Sequence, residues 1–189
     1  RECYHCHYNH PELDAVQDWR SFATDPDEFE AIVESGRVGG EVHFARGSTN
    51  LNTVDDKTAC RVPLPTTTGT PTAENTGLVH FTGIVFGFAR DYAKLYVMRP
   101  AAKDRTHIIT YWFVSDEAHE GVDYELQDVT EFWEATYSQD KAICENVHRG
   151  MLNSAYRPGP LNRTHQAGQA QWYGWYLDKM AQAGFVPGA

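Results

Sequence analysis

Apolar and polar residues take turns from Glu41 to Arg46, EVHFAR, which is the pattern of a half-buried strand. The same signal returns in the run LVHFTGIVFGFARDYAKLYVMRPAAKDRTHIITYWFVSDEA. It predicts three strands, about 78–87, 91–99 and 106–115. Short polar turns near Ala89-Arg90 and Lys103-Asp104 divide them, so they are expected to form an antiparallel meander. Residues 47–76 are rich in Thr, Asn, Gly and Pro and read as a long loop, interrupted by a weak strand near Cys60 to Leu64. Beyond Gly121 the period becomes helical. From Tyr124 to about Ser154, Leu126, Val129, Trp133, Tyr137, Ile143, Val147 and Met151 recur at helical intervals, and RPGPL at 157–161 breaks the pattern. A last helix runs from about Thr164 to Ala183 and stops at Gly184. At the other end, residues 1 to about 9 can form the end of a helix and Pro11 interrupts it. A short helix over about 12–18 follows, and Asp25-Pro26-Asp27 caps another that closes at Gly36. Helices, then sheet, then helices make the class α+β.

Composition narrows the function. The 189 residues are 41% hydrophobic and 13% aromatic, enough for one domain with a core. The net charge of −10 argues against a nucleic-acid surface, which needs clustered Lys and Arg. No apolar run reaches the roughly 18 residues of a membrane span. Absence of a signal-peptide pattern, with Cys3 and Cys6 too close to pair comfortably on a helix and Cys60 and Cys144 in unrelated contexts, leads us to expect a reducing, cytoplasmic compartment.

One residue breaks the helical pattern. Trp133, Tyr137, Asp140, Cys144, Val147 and Met151 advance by steps of three and four, so Asp140 is expected on the face that packs against the sheet. A buried carboxylate is costly unless it is protonated, paired with a base, or bound to a metal. The opening stretch ECYHCHYNHPEL offers complementary groups. His5 and His10 stand about 140° apart on an ideal helix, so they share an ion only if the helix ends between them, and Pro11 supplies a reason for that ending. Two imidazoles with Asp140 then form a facial triad, the ligand set of non-haem Fe(II) oxygenases. Other readings stay open. Cys3 and Cys6 with His7 and His10 can hold zinc, at a compressed spacing. The histidines can also be polar helix-end residues, and Asp140 a salt-bridged or hydrogen-bonded acid. Cys3-Tyr4-His5 is half of a Rieske cluster motif, but the matching C-x2-H occurs nowhere in the chain.

Two stretches resemble a known family. Glu2-x2-His5-x4-His10-Pro11 is similar to the iron motif of the α subunits of Rieske non-haem iron oxygenases. The fuller string resembles the ring-hydroxylating relatives that include choline, carnitine and betaine mono-oxygenases. QDKAICENVHRGMLNSAYRPGPL at 139–161 resembles the family's C-terminal pattern, with His148 where glutamine is usual. The resemblance implies a helix-grip (Bet v 1-like) fold, an antiparallel sheet wrapped around a long C-terminal helix. It implies that residues 1–189 are a catalytic-domain fragment whose N-terminal Rieske domain, with its [2Fe-2S] cluster, is absent. His5, His10 and Asp140 match the Fe(2+) ligands, and Glu2 matches the acid that bridges electron transfer from a neighbouring subunit. The implied partners are O2, a small organic substrate, a reductase or ferredoxin carrying electrons from NAD(P)H, and two further copies in a homotrimer. The implied reaction is hydroxylation of an aromatic ring, as in aromatic catabolism, or oxidative demethylation of a small substrate.

The substrate pocket is expected among Trp133, Tyr137, Tyr96 and Trp112. These rings can cage a quaternary ammonium, stack on an aromatic ring, or simply fill the core. A non-catalytic helix-grip module that binds a small ligand is the alternative reading.

Overall fold

The computed structural model describes residues 26–34, 39–45, 58–65, 74–80, 83–164 and 166–185. The opening motif with Glu2, His5 and His10, and the helices expected over 1–18, lie outside the described residues.

Five strands form one sheet: β1 (Gly39–Ala45), β2 (Glu74–His80), β3 (Ile84–Phe88), β4 (Ala93–Ala102) and β5 (Arg105–Phe113). Each pairs antiparallel with the next, so sheet order follows chain order. The expected meander is present, with its turns at 89–92 and 103–104. One boundary differs from expectation. The single strand read over 78–87 is two strands, β2 and β3, separated at Gly83. Gly83 has φ +89°, a conformation that side chains rarely adopt, and an added Cβ would lie 2.9 Å from the Met98 carbonyl oxygen. The Gly83 carbonyl in turn accepts a 2.7 Å hydrogen bond from Met98 N–H. Near the end of β4 the register shifts between Pro100 and Ala102, where proline can donate nothing to the ladder.

The strand expected near Cys60 to Leu64 is only an isolated bridge between Cys60 and Tyr124. That segment is held by other means. Asp91, in the β3–β4 turn, accepts hydrogen bonds from the N–H groups of Ala59 (2.7 Å) and Cys60 (3.0 Å). Leu64 N–H reaches the Arg90 carbonyl, and Arg61 N–H the Asp123 carbonyl. The core gathers at this crossing: Ala59, Ala89, Tyr92 and Val129 are buried together, with Trp112, Val114, Tyr124 and Trp133 packed around them.

Three α-helices complete the described fold: α1 (Phe29–Glu34), α2 (Leu126–Met151) and α3 (Ala167–Gln182). All three fall where the pattern predicts them. Helix α3 ends in a Schellman motif: Phe185 N–H bonds the Met180 carbonyl, Gly184 N–H bonds the Ala181 carbonyl, and Gly184 has φ +84°. Helix α1 packs against α3. Arg163, in the segment before α3, adds to this contact by pairing with Glu30 at 2.7 Å and lying over the Phe29 ring.

The apolar stripe of α2 is buried over less of its length than its period predicts. Val129, Thr130, Phe132 and Thr136 are buried, and Trp133, Tyr137 and Asp140 are half-buried. From Cys144 onward the stripe is exposed, with Val147 at 47% and Met151 at 51%. Leu126, at the start of the stripe, is also exposed, at 55%, so burial is greatest in the middle of the helix, from Val129 to Asp140.

Candidate metal and substrate site

The inner face of β4 decides the chemistry of the interior. Alternate residues on a strand share a face, so Lys94, Tyr96 and Met98 point one way. Lys94 lies between Gly87 on β3 and Trp112 on β5. Gly87 makes room for it, since a Cβ there would stand 3.2 Å from the lysine Cε. Tyr96 lies between Val85 and Thr110.

Helix α2 covers this face with Trp133 and Tyr137. The Trp133 indole N–H donates a 2.9 Å hydrogen bond to the Tyr92 hydroxyl. Its ring lies beneath the Lys94 ammonium. Tyr137 packs on Tyr96 at 5.3 Å and on Trp133 at 6.1 Å, and Lys94 Nζ is 5.2 Å from the Tyr137 ring centroid. Three of the four rings expected in the pocket are thus linked, with Tyr137 between Tyr96 and Trp133. The fourth, Trp112, joins through Tyr92 at 6.2 Å. Asp140 follows Tyr137 by three residues on the same helix face, and its Oδ1 is buried.

The charges here are perturbed. Lys94 is only 6% exposed. Burial holds its ammonium well below the usual lysine range, against the opposing pull of the Asp140 negative charge. Burial also pushes the Tyr137 hydroxyl up, and Tyr96 and Asp140 add to the shift. The Tyr92 hydroxyl is raised well above the phenol range, again chiefly by burial.

Asp140 is the member of the expected ligand set that falls within the described residues. A buried carboxylate oxygen on the inner helix face, beside aromatic walls, is a fitting hard-oxygen donor for a divalent iron. Among the described residues no three His, Cys, Asp or Glu gather closely enough to hold a metal ion by themselves. Lys94 was missed by the sequence reading. Its signal was positional: it shares strand parity with Tyr96, an expected pocket residue.

Fold and site together define an α+β domain with an aromatic-walled, charged interior, and comparison gives its family. Residues 1–182 match the family described as ring hydroxylating alpha subunit (catalytic domain), and the chain belongs to it. Among curated relatives it is 28% identical, over 202 aligned residues, to the glycine betaine monooxygenase oxygenase subunit of Pseudomonas aeruginosa (strain UCBPP-PA14). That alignment covers 95% of this chain and 47% of the relative. A subunit of the same name from Chromohalobacter salexigens is 37% identical over 93 residues, covering 49% of this chain and 21% of the relative. The chain spans about half the length of the Pseudomonas relative. Among the described residues no helix is long and apolar enough to cross a membrane.

Proposed function

We propose that residues 1–189 form the iron-bearing catalytic domain of a Rieske-type mono-oxygenase acting on a small N-methylated substrate. The observation that carries this reading is the buried carboxylate of Asp140 on the inner face of α2, within a chain matched to the family over residues 1–182. His5 and His10 complete the ligand set in this reading, and the sheet with α2 is a helix-grip fold. The family match and the names of the relatives support it.

An iron held there would supply the reduction of O2 and the oxidation of a substrate C–H bond. In that chemistry one oxygen atom would enter the substrate and the other would leave as water, with two protons and with two electrons from NAD(P)H by way of a reductase or ferredoxin and a [2Fe-2S] cluster. The chain's own groups have simpler tasks. Asp140 would hold the iron together with His5 and His10, its carboxylate offsetting part of the metal's charge. Trp133, Tyr137 and Tyr96 keep water from the inner face and pack against the substrate. Glu2 hydrogen-bonds towards the electron donor of a neighbouring subunit in a homotrimer.

Metal analysis tests the reading. The wild-type protein is expected to hold close to one iron per chain, and His5→Ala and Asp140→Ala to hold little. A non-catalytic binding module would carry no stoichiometric iron and would be indifferent to both substitutions. Product analysis of the full-length protein with its reductase, on methylated amines and on simple aromatics, tests the substrate class.

A further inference from the structure

Lys94 has no role in the reading so far. Its side chain is more than nine-tenths buried, between Gly87 and Trp112 on the sheet and Trp133 and Tyr137 on α2. Among the described residues its side chain donates no hydrogen bond and makes no ion pair, and its Nζ lies over the Trp133 ring and 5.2 Å from that of Tyr137. A ring face offsets part of the cost of burying an ammonium, but it leaves N–H donors unused. Asp140 is near enough to act on it electrostatically. The Lys94 N–H groups have no acceptor among the described residues, and a substrate carboxylate would supply one and favour the ammonium form.

We propose that Lys94 is the receptor for an anionic group on the substrate, specifically the carboxylate of a small zwitterion. This rests on the substrate site lying at Asp140, as proposed above. Lys94 Nζ lies over Trp133 and 5.2 Å from the Tyr137 ring, and these residues precede Asp140 by roughly 10 Å and 4.5 Å of helical rise. A carboxylate held at Lys94 directs the far end of a short molecule towards Asp140, where a methyl group would meet the metal. The assignment also divides the labour of the rings. Trp133 serves Lys94 and is not free to hold a methylated ammonium, so that cation must rest elsewhere.

The test uses three ligands, measured by anaerobic titration calorimetry on the full-length protein. Glycine betaine carries both charges, choline lacks the carboxylate, and 3,3-dimethylbutyrate lacks the positive nitrogen. Wild type is expected to bind the two carboxylates more tightly than choline. Lys94→Met should weaken both carboxylates by about 10- to 100-fold and leave choline unchanged, as expected for loss of a hydrogen bond to a charged group. Lys94→Arg should recover most of the affinity. Betaine binding within about twofold of wild type in Lys94→Met overturns the proposal, as does equal wild-type affinity for betaine and choline. The second comparison needs no variant, so it decides the matter even if Lys94→Met does not fold. Iron analysis of the same samples separates the two readings. Carboxylate preference without iron sinks the oxygenase reading alone, and iron without carboxylate preference sinks the anion receptor alone.

Discussion

Trp133 on α2 donates its indole N–H to the hydroxyl of Tyr92, which lies just before β4. That single 2.9 Å bond fixes the tilt of the ring on which the Lys94 ammonium rests. It couples the packing of helix on sheet to the geometry of the candidate site.

Tyr92→Phe removes the acceptor and leaves a partly buried indole N–H without it. The expected loss of stability is about 1–2 kcal/mol. Urea unfolding followed by circular dichroism measures it, and a midpoint equal to wild type would show that the bond contributes nothing.

Asp91 anchors residues 59 and 60 to the β3–β4 turn and is 3% exposed. Asp91→Ala leaves two buried N–H donors unsatisfied and is expected to cost about 2–4 kcal/mol in the same assay. Burial raises the Asp91 carboxyl above its usual value, against the opposing hydrogen bonds from Cys60 and Ala59. The folded state therefore holds this proton more tightly than the unfolded chain. Stability from this group is fully present below the unfolded value, near 4, and is lost as pH rises through the folded one. The stability difference between wild type and Asp91→Asn should thus shrink as pH rises from below 4. A difference that grows over that range contradicts the assignment.

Cys60 is fully buried, and burial pushes its thiol up, whereas Cys144 is exposed on α2. Native alkylation with peptide mapping should label Cys144 within minutes and Cys60 only after unfolding. Comparable labelling of both would show that the core around Ala59 and Tyr92 opens readily.

Phe132 is 1% exposed, and Phe132→Ala should cost about 3–5 kcal/mol. Arg163→Ala removes an ion pair whose partners are 49% and 64% exposed, and should cost no more than about 1 kcal/mol. Thermal melts of the two variants should rank them in that order, and a reversal would place the stability of the domain at the α1–α3 contact instead.

Much of this molecule is legible from local pattern. The turns at 89–92 and 103–104, α2 closing before RPGPL, and the stop of α3 at Gly184 all follow from residues near them in sequence. The division of 78–87 into two strands was legible in principle at Gly83, but its cause, the close Met98 carbonyl, is non-local.

The sequence by itself determined the elements, the α+β class, the placing of Asp140 on the inward stripe of α2, and the resemblance that the family match bears out. Tertiary structure alone decided which face of β4 turns inward. Strand alternation defines two faces but does not say which is covered; that depends on Gly87, Trp112 and the distant Trp133. It also decided which part of the α2 stripe is buried, because a helix keeps its period whether or not another element covers it. Lys94 became a candidate for function through those two facts, since no local signal marks a lysine as buried.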